Sequence, residues 1–169
     1  QCFVPRYSQV IVGYNLFGFD LPHLLERAKA HRVKLPFDYA TKPDGSPIEV
    51  AVAGTEGIVS GAPIKFKLVK WVGEGKVDFV DVFILVARYD GIVREMRHHD
   101  LKSAAQYFNE AEPNRPELSP SQILDAFRGD KEKFRDYLRA DLWECYRLYE
   151  KLAEPYFHIA NIVNAIIKS

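Results

Sequence analysis

Apolar positions along this chain change their period several times, and each change marks an element. Val10, Ile11 and Val12, followed by Gly13, make a short continuous β-branched run, the pattern of a strand buried on both faces. Leu21, Leu24, Leu25 and Ala28 then recur at helical spacing, with Pro22 in a first turn where its missing N–H is not needed. Between Pro36 and Pro63 the text KPDGSP, AGTEG and SGAP is dense in turn residues, so short strands are expected at Ile48–Val52 and Gly57–Val59. Ile64, Phe66 and Leu68 alternate with Lys65, Lys67 and Lys70, a half-buried strand with a basic outer face that reads first as a solvated surface. After the turn at Gly73–Gly75 a long strand over Val77–Val86 completes an antiparallel hairpin spanning residues 64 to 86.

The second half is helical. Asp100 caps a helix carrying Leu101, Ala104, Ala105 and Phe108, and Ser119-Pro120-Ser121-Gln122 has the shape of a capping box ahead of Ile123 and Phe127, with Gly129 as its stop. The longest helix is expected over Phe134–Leu152. A final one follows Pro155, with Ile159, Ile162, Val163, Ile166 and Ile167 on its buried side. Strands with an early helix, then helices, give an α/β or α+β class around a mixed sheet.

Composition narrows the class without naming a function. A chain of 169 residues, 47% hydrophobic and 13% aromatic, can bury one sizeable core, and a single domain over 1–169 is expected. Lys plus Arg equal Asp plus Glu at 23 each, so a polyanionic partner must be met by a local basic face. Cys2 and Cys145 lie far apart, without a C-x-x-C or a cysteine and histidine cluster, which argues against zinc and against a disulfide framework. No apolar run approaches the roughly 18 residues of a membrane span, and no basic region followed by an apolar one opens the chain. A soluble cytoplasmic protein is expected.

Two acids carry the candidate chemistry. Asp20 sits between an apolar run and an apolar helix, where it either caps the helix or holds a metal. Asp141 occupies a slot in the stripe Phe134, Leu138, Asp141, Cys145, Leu148, Leu152 that the helical period reserves for apolar side chains. A carboxylate facing a core needs a cation or several donors. The positions three and four away, Tyr137, Leu138, Glu144 and Cys145, offer no cation, so an Arg or Lys from elsewhere pairs with Asp141, or a metal does. Tyr137, one turn earlier, projects from the same face. With Asn15-x-x-x-Phe19-Asp20 upstream, two acids from separate elements can converge on a shared cation.

These stretches resemble a known family. YNLFGFDLPHLLERA is similar to the second exonuclease motif of family B DNA polymerases and related stand-alone 3′-to-5′ exonucleases, and YLRADLWECYRLYEKL to their third motif in its tyrosine form. KVDFVDVFILVAR is similar to the strand after the family's β-hairpin, and HHDLKSAAQYFNE to the helix that precedes the third motif. The likeness covers residues 10 to about 155. It implies an RNase H-like fold, a mixed sheet flanked by helices with a β-hairpin insertion, and a two-metal site for Mg²⁺ or Mn²⁺. Asp20 and Asp141 are then the metal ligands, and Asp20, Asp141 and Tyr137 the catalytic residues, with Tyr137 orienting the attacking water. Asn15, Phe19 and Tyr14 contact the substrate. No His has an Asp five residues on, so the tyrosine form of the site is preferred over the histidine form.

One departure matters. The family's first motif, Asp-x-Glu on an early strand, should precede Val10 and is not there, so the expected domain lacks its N-terminal strands and, as given, two of its four acids. Asp130-Lys131-Glu132 reads instead as a helix cap with helix-start acids. The open edge of Val10–Tyr14 is expected to be covered by another molecule, a second copy of the chain included, or else to be what is left of a longer parent protein that was trimmed. His98-His99-Asp100 reads as adjacent histidines pointing apart beside a helix cap, Asp78 and Asp81 as strand acids bonded to backbone or a base, and Trp71, Trp143 and the tyrosines as core. The expected function is a 3′-to-5′ exonuclease acting on the 3′ end of single-stranded DNA, or RNA, alone or beside a polymerase domain. The alternatives are a degenerate RNase H-like module that binds nucleic acid or protein without cutting, and a purely structural segment of a polymerase.

Overall fold

The computed structural model describes residues 9–52 and 64–168, with side-chain environments through residue 158. Cys2, the strand expected at Gly57–Val59, and the buried side expected for Ile159, Ile162, Val163, Ile166 and Ile167 lie outside the described residues. The chain forms two compact units, Gln1–Arg97 and His98–Ser169. Its class is mixed α/β, with small sheets and helices predominating.

In the first unit, β1 (Gln9–Gly13) runs into a π-helical turn (Leu16–Asp20) and helix α1 (Leu21–His31). Short strands follow: β2 (Phe37–Tyr39), β3 (Glu49–Val52), β4 (Ile64–Lys67), β5 (Val69–Trp71) and β6 (Val77–Asp81), before helix α2 (Val82–Val93). Among the described residues these strands make three two-stranded sheets. β1 pairs with β6 in parallel, Gly13 opposite Asp81, while β2 pairs with β5 and β3 with β4, both antiparallel. Residues 64 to 86 therefore do not form the expected hairpin. Leu68 separates β4 from β5, and the two strands turn to different partners.

The strand expected over Val77–Val86 ends at Asp81. From Val82 the chain is helical, because Asp81 caps α2 by accepting the Phe83 N–H at 3.1 Å. A run that is apolar on every side cannot be assigned by period alone, and VFILVA is buried as a helix at nearly every position. The alternation over Ile64–Lys67 is as expected, with Phe66 inside and Lys65 and Lys67 outside. The core of this unit gathers Leu16, Phe17, Leu21, Val52, Phe66, Val69, Phe83 and Ala87.

β1 is not buried on both faces. Val10 is 47% and Ile11 37% exposed, since β6 is its one ladder partner among the described residues and its outer residues meet water. Leu24 of α1 is also exposed, so the inward contacts of that helix come from buried Leu21 and partly buried Leu25.

The second unit packs α3 (Leu101–Tyr107) and α4 (Pro120–Gly129) against the long helix α5 (Lys131–Lys168). The expected caps form: Asp100 accepts the Ser103 N–H at 3.0 Å, Ser119 and Gln122 make a complete capping box, and Asp130 accepts the Lys133 N–H at 3.0 Å ahead of α5. Instead of two helices split at Pro155, α5 is one helix of 38 residues with Pro155 inside it. Proline there removes one i→i−4 hydrogen bond, and the helix is continued by its neighbours on both sides. The inward stripe of α5 is rotated from the expected one. Leu138 is 41% exposed, and the buried positions are Ala140, Glu144, Cys145, Leu148, Leu152 and Ala153. Trp143, expected in the core, is exposed as well.

Candidate functional site

The first cluster is built at the carboxyl ends of two parallel strands, the edge where open α/β sheets place their ligands. β1 delivers the turn after Gly13, and β6 delivers Asp81 beside it through the Gly13–Asp81 register. Asn15 takes a left-handed conformation, φ 58°, which asparagine tolerates better than most residues. Its carbonyl accepts the N–H groups of Gly18 at 3.2 Å and Phe19 at 2.9 Å, closing the turn. Gly18 is required by this closure. A Cβ there would collide with Asn15 Oδ1 and lie 2.8 Å from Phe66 Cε1.

Asp81 anchors the turn from beneath. It is 3% exposed and its Oδ2 accepts the Phe17 N–H at 2.9 Å while Oδ1 accepts that of Phe83, so one carboxylate ties the turn to the start of α2. Burial pushes its carboxyl up to about 6 against the opposing pull of backbone N–H groups of Phe17, Phe83 and Asn15, and the nearby Asp20 carboxylate pushes it upward too. The expectation that Asp81 bonds to neighbouring backbone holds; its place beneath the turn was not foreseen. Asp78, by contrast, is exposed and pairs with Lys76 at 3.6 Å.

Asp20 stands at the helix junction without capping it. The π-helical turn passes into α1 with Asp20 already helical, φ −64° and ψ −52°, and its side chain accepts no capping hydrogen bond. The carboxylate is solvent-exposed. The surrounding chain still strips enough water from it to raise it above its ordinary value, with His23 pulling the other way. Phe19 is 62% exposed and lies parallel to His23, ring centroids 5.8 Å apart. Tyr14 is turned inward, edge-on to Phe83 at 6.0 Å. Asn15, Phe19 and Asp20 thus line one exposed turn, and Tyr14 supports it from the core.

The second cluster lies on α5. Tyr137 and Asp141 project from one face, and burial, reinforced by the Asp141 carboxylate, pushes the Tyr137 phenol above its ordinary range. The cation that the sequence required is Arg115, from the loop between α3 and α4. One guanidinium nitrogen pairs with Asp141 and the other with Glu144, and its carbon lies 5.5 Å from the centre of the Tyr137 ring. Glu144 also accepts the Glu112 N–H at 3.0 Å. Glu112 in turn pairs with Arg147 at 3.1 Å, and Lys151 bonds Glu110 and the Phe108 carbonyl. The loop is therefore fastened along α5 by alternating charges.

Arg115 and Glu144 were missed by sequence reasoning. Glu144 could have been found from a stripe stepped through Tyr137, Ala140, Glu144 and Leu148, one position off the apolar reading. Nothing in EPNRPEL marks Arg115 as buried. As donors, the carboxylates of Asp20 and Asp141 suit a hard divalent cation. Asp20 offers an uncapped, exposed carboxylate beside a second acid, whereas Asp141 reaches a metal only by giving up Arg115. No protein-family model matches this chain, and no curated protein matches it.

Proposed function

We propose that this chain is the exonuclease part of an RNase H-like 3′-to-5′ exonuclease of the family B polymerase type, hydrolysing single-stranded DNA from its 3′ end. The reading rests above all on the Tyr137–Asp141 pair, a phenol and a carboxylate one turn apart on one helix face in the spacing of YLRAD, with the Arg115 guanidinium beside both. Asp20 and Asp141 are its metal-holding carboxylates. Mg²⁺ or Mn²⁺ bound there would neutralise charge on the scissile phosphate and lower the pKa of a water. Tyr137 orients that water through its phenol. Phe19 offers an exposed ring for a terminal base, and Asn15 a side-chain amide beside it.

A second reading, a module that binds nucleic acid without cutting, is favoured by the Arg115 fork, which already satisfies Asp141 with a protein cation. Mn²⁺-dependent degradation of a 3′-labelled single-stranded oligonucleotide separates the two. With the protein expressed from its complete reading frame, loss of degradation in both Asp20→Ala and Asp141→Ala is expected. Retained oligonucleotide binding by an inert wild type replaces the first reading with the second, whereas full activity in either variant removes that carboxylate from the catalytic site and overturns the first reading.

A further inference from the structure

The second unit holds a pocket of about 380 Å³ between α5 and the loop that follows α3, in the size range of small-ligand sites. One wall is the helix, where Arg139, Trp143 and Arg147 follow at four-residue steps and so share a face. The other wall is the loop carrying Glu112, Asn114 and Pro116. This loop is held in place: the Glu112 N–H donates to Glu144 at 3.0 Å, and the Glu112 carboxylate pairs with Arg147 at 3.1 Å.

The charges in the pocket are not equivalent. Arg147 is committed to Glu112 and lies against the Trp143 ring, 5.9 Å from its centre. Arg139 is exposed and has no ion pair among the described residues, so its guanidinium is open to an anion. Trp143 is 49% exposed although an indole of this size is normally covered; its ring touches Arg147 and, edge-on, Tyr146, and it lines the same pocket as Arg139. A half-exposed indole and an open guanidinium in one pocket match an aromatic base joined to a phosphate. The carboxylates of Glu112 and Asp136 at the same pocket oppose a run of phosphates and favour a single one.

We propose that this pocket binds one nucleotide, a nucleoside 5′-monophosphate, with its base on Trp143 and its phosphate on Arg139. The site needs no metal and stands apart from the cutting chemistry, so it is tested in the presence of EDTA. Calorimetric titration with thymidine 5′-monophosphate should show saturable binding about tenfold tighter than with thymidine. Arg139→Ala should remove that tenfold advantage and leave thymidine binding unchanged, while Trp143→Ala should weaken both ligands. Both positions are exposed, and circular dichroism confirms that α5 is intact in each variant. The indole N–H resonance missing from Trp143→Phe identifies Trp143 in the wild-type spectrum, where it should be the one of the two tryptophans that shifts on titration. Absence of saturable binding, equal affinity for the two ligands, or a shift confined to Trp71 overturns the assignment.

Discussion

Arg115 and Glu144 form an ion pair inside the second unit, the guanidinium 10% and the carboxylate 1% exposed. The same guanidinium holds Asp141, so a single side chain from the loop neutralises two acids on successive turns of α5. Burying Glu144 without a cation costs several kcal/mol, which makes the pair a lock more than a source of net stability.

Removing one partner should therefore hurt more than removing both. Arg115→Ala strands a buried carboxylate and should lower unfolding free energy by roughly 3–5 kcal/mol. The double variant Arg115→Met with Glu144→Leu should recover most of that loss. Urea denaturation of the two variants and the wild type measures the difference. Equal destabilisation by the single and double changes would show that loop packing, not the stranded charge, sets the cost.

Asp81 should leave its mark on the pH dependence of stability. Its folded carboxyl is raised from 3.8 to about 6, so the folded state holds the proton more tightly than the unfolded chain. Stability from this group is complete below the unfolded value and is lost as pH rises through the folded one. The full span corresponds to roughly 3 kcal/mol, with about 1 kcal/mol disappearing between about pH 5 and pH 7.5. Denaturation curves at those two pH values should show this decline, and Asp81→Asn should flatten it. A slope unchanged by the substitution would remove Asp81 as its source.

Gly18 is held by contact. An added methyl group meets the Asn15 side chain and the Phe66 ring together, and the latter is part of the core. Gly18→Ala should cost about 1–3 kcal/mol, the usual penalty for overpacking, and should displace the Asn15 amide. Nuclear Overhauser contacts between Asn15 and Phe19, compared in wild type and variant, report that displacement directly. Gly45, with open space around its Cβ position but φ +83°, should lose stability through backbone strain alone.

How much of this was legible in the sequence depended on whether the signal was local. The caps at Asp100, Ser119 and Asp130 were readable because a cap and its donor lie within one turn. The basic alternation of β4 was readable because one of its faces meets water. The change to helix at Val82 was hidden because a segment apolar all round has no period to reveal it. For Asp20 the two expected roles were cap and metal ligand, and the π-helical turn removes the first by making the residue helical before α1 starts. The need for a cation at Asp141 could be deduced from burial. Its identity could not, because Arg115 is 26 residues away in a loop whose own pattern is polar.

The competition at Asp141 gives the last prediction. If Asp141 takes Mn²⁺, the metal must displace the Arg115 guanidinium, and that positive charge weakens binding in the wild type. The variant Arg115→Gln with Glu144→Gln keeps a neutral hydrogen-bonding pair in the same place and removes both the competing cation and the stranded anion. Mn²⁺ affinity should rise about tenfold or more, equivalent to 1.4 kcal/mol or more of relieved repulsion. Paramagnetic broadening of the Tyr137 ring signals, which sit beside Asp141, follows the titration at this position. Adding Asp141→Asn should abolish the gain. Affinity that is the same in wild type and double variant, or that survives Asp141→Asn, would mean that Asp141 serves α5 as a structural anion and that any metal is held elsewhere.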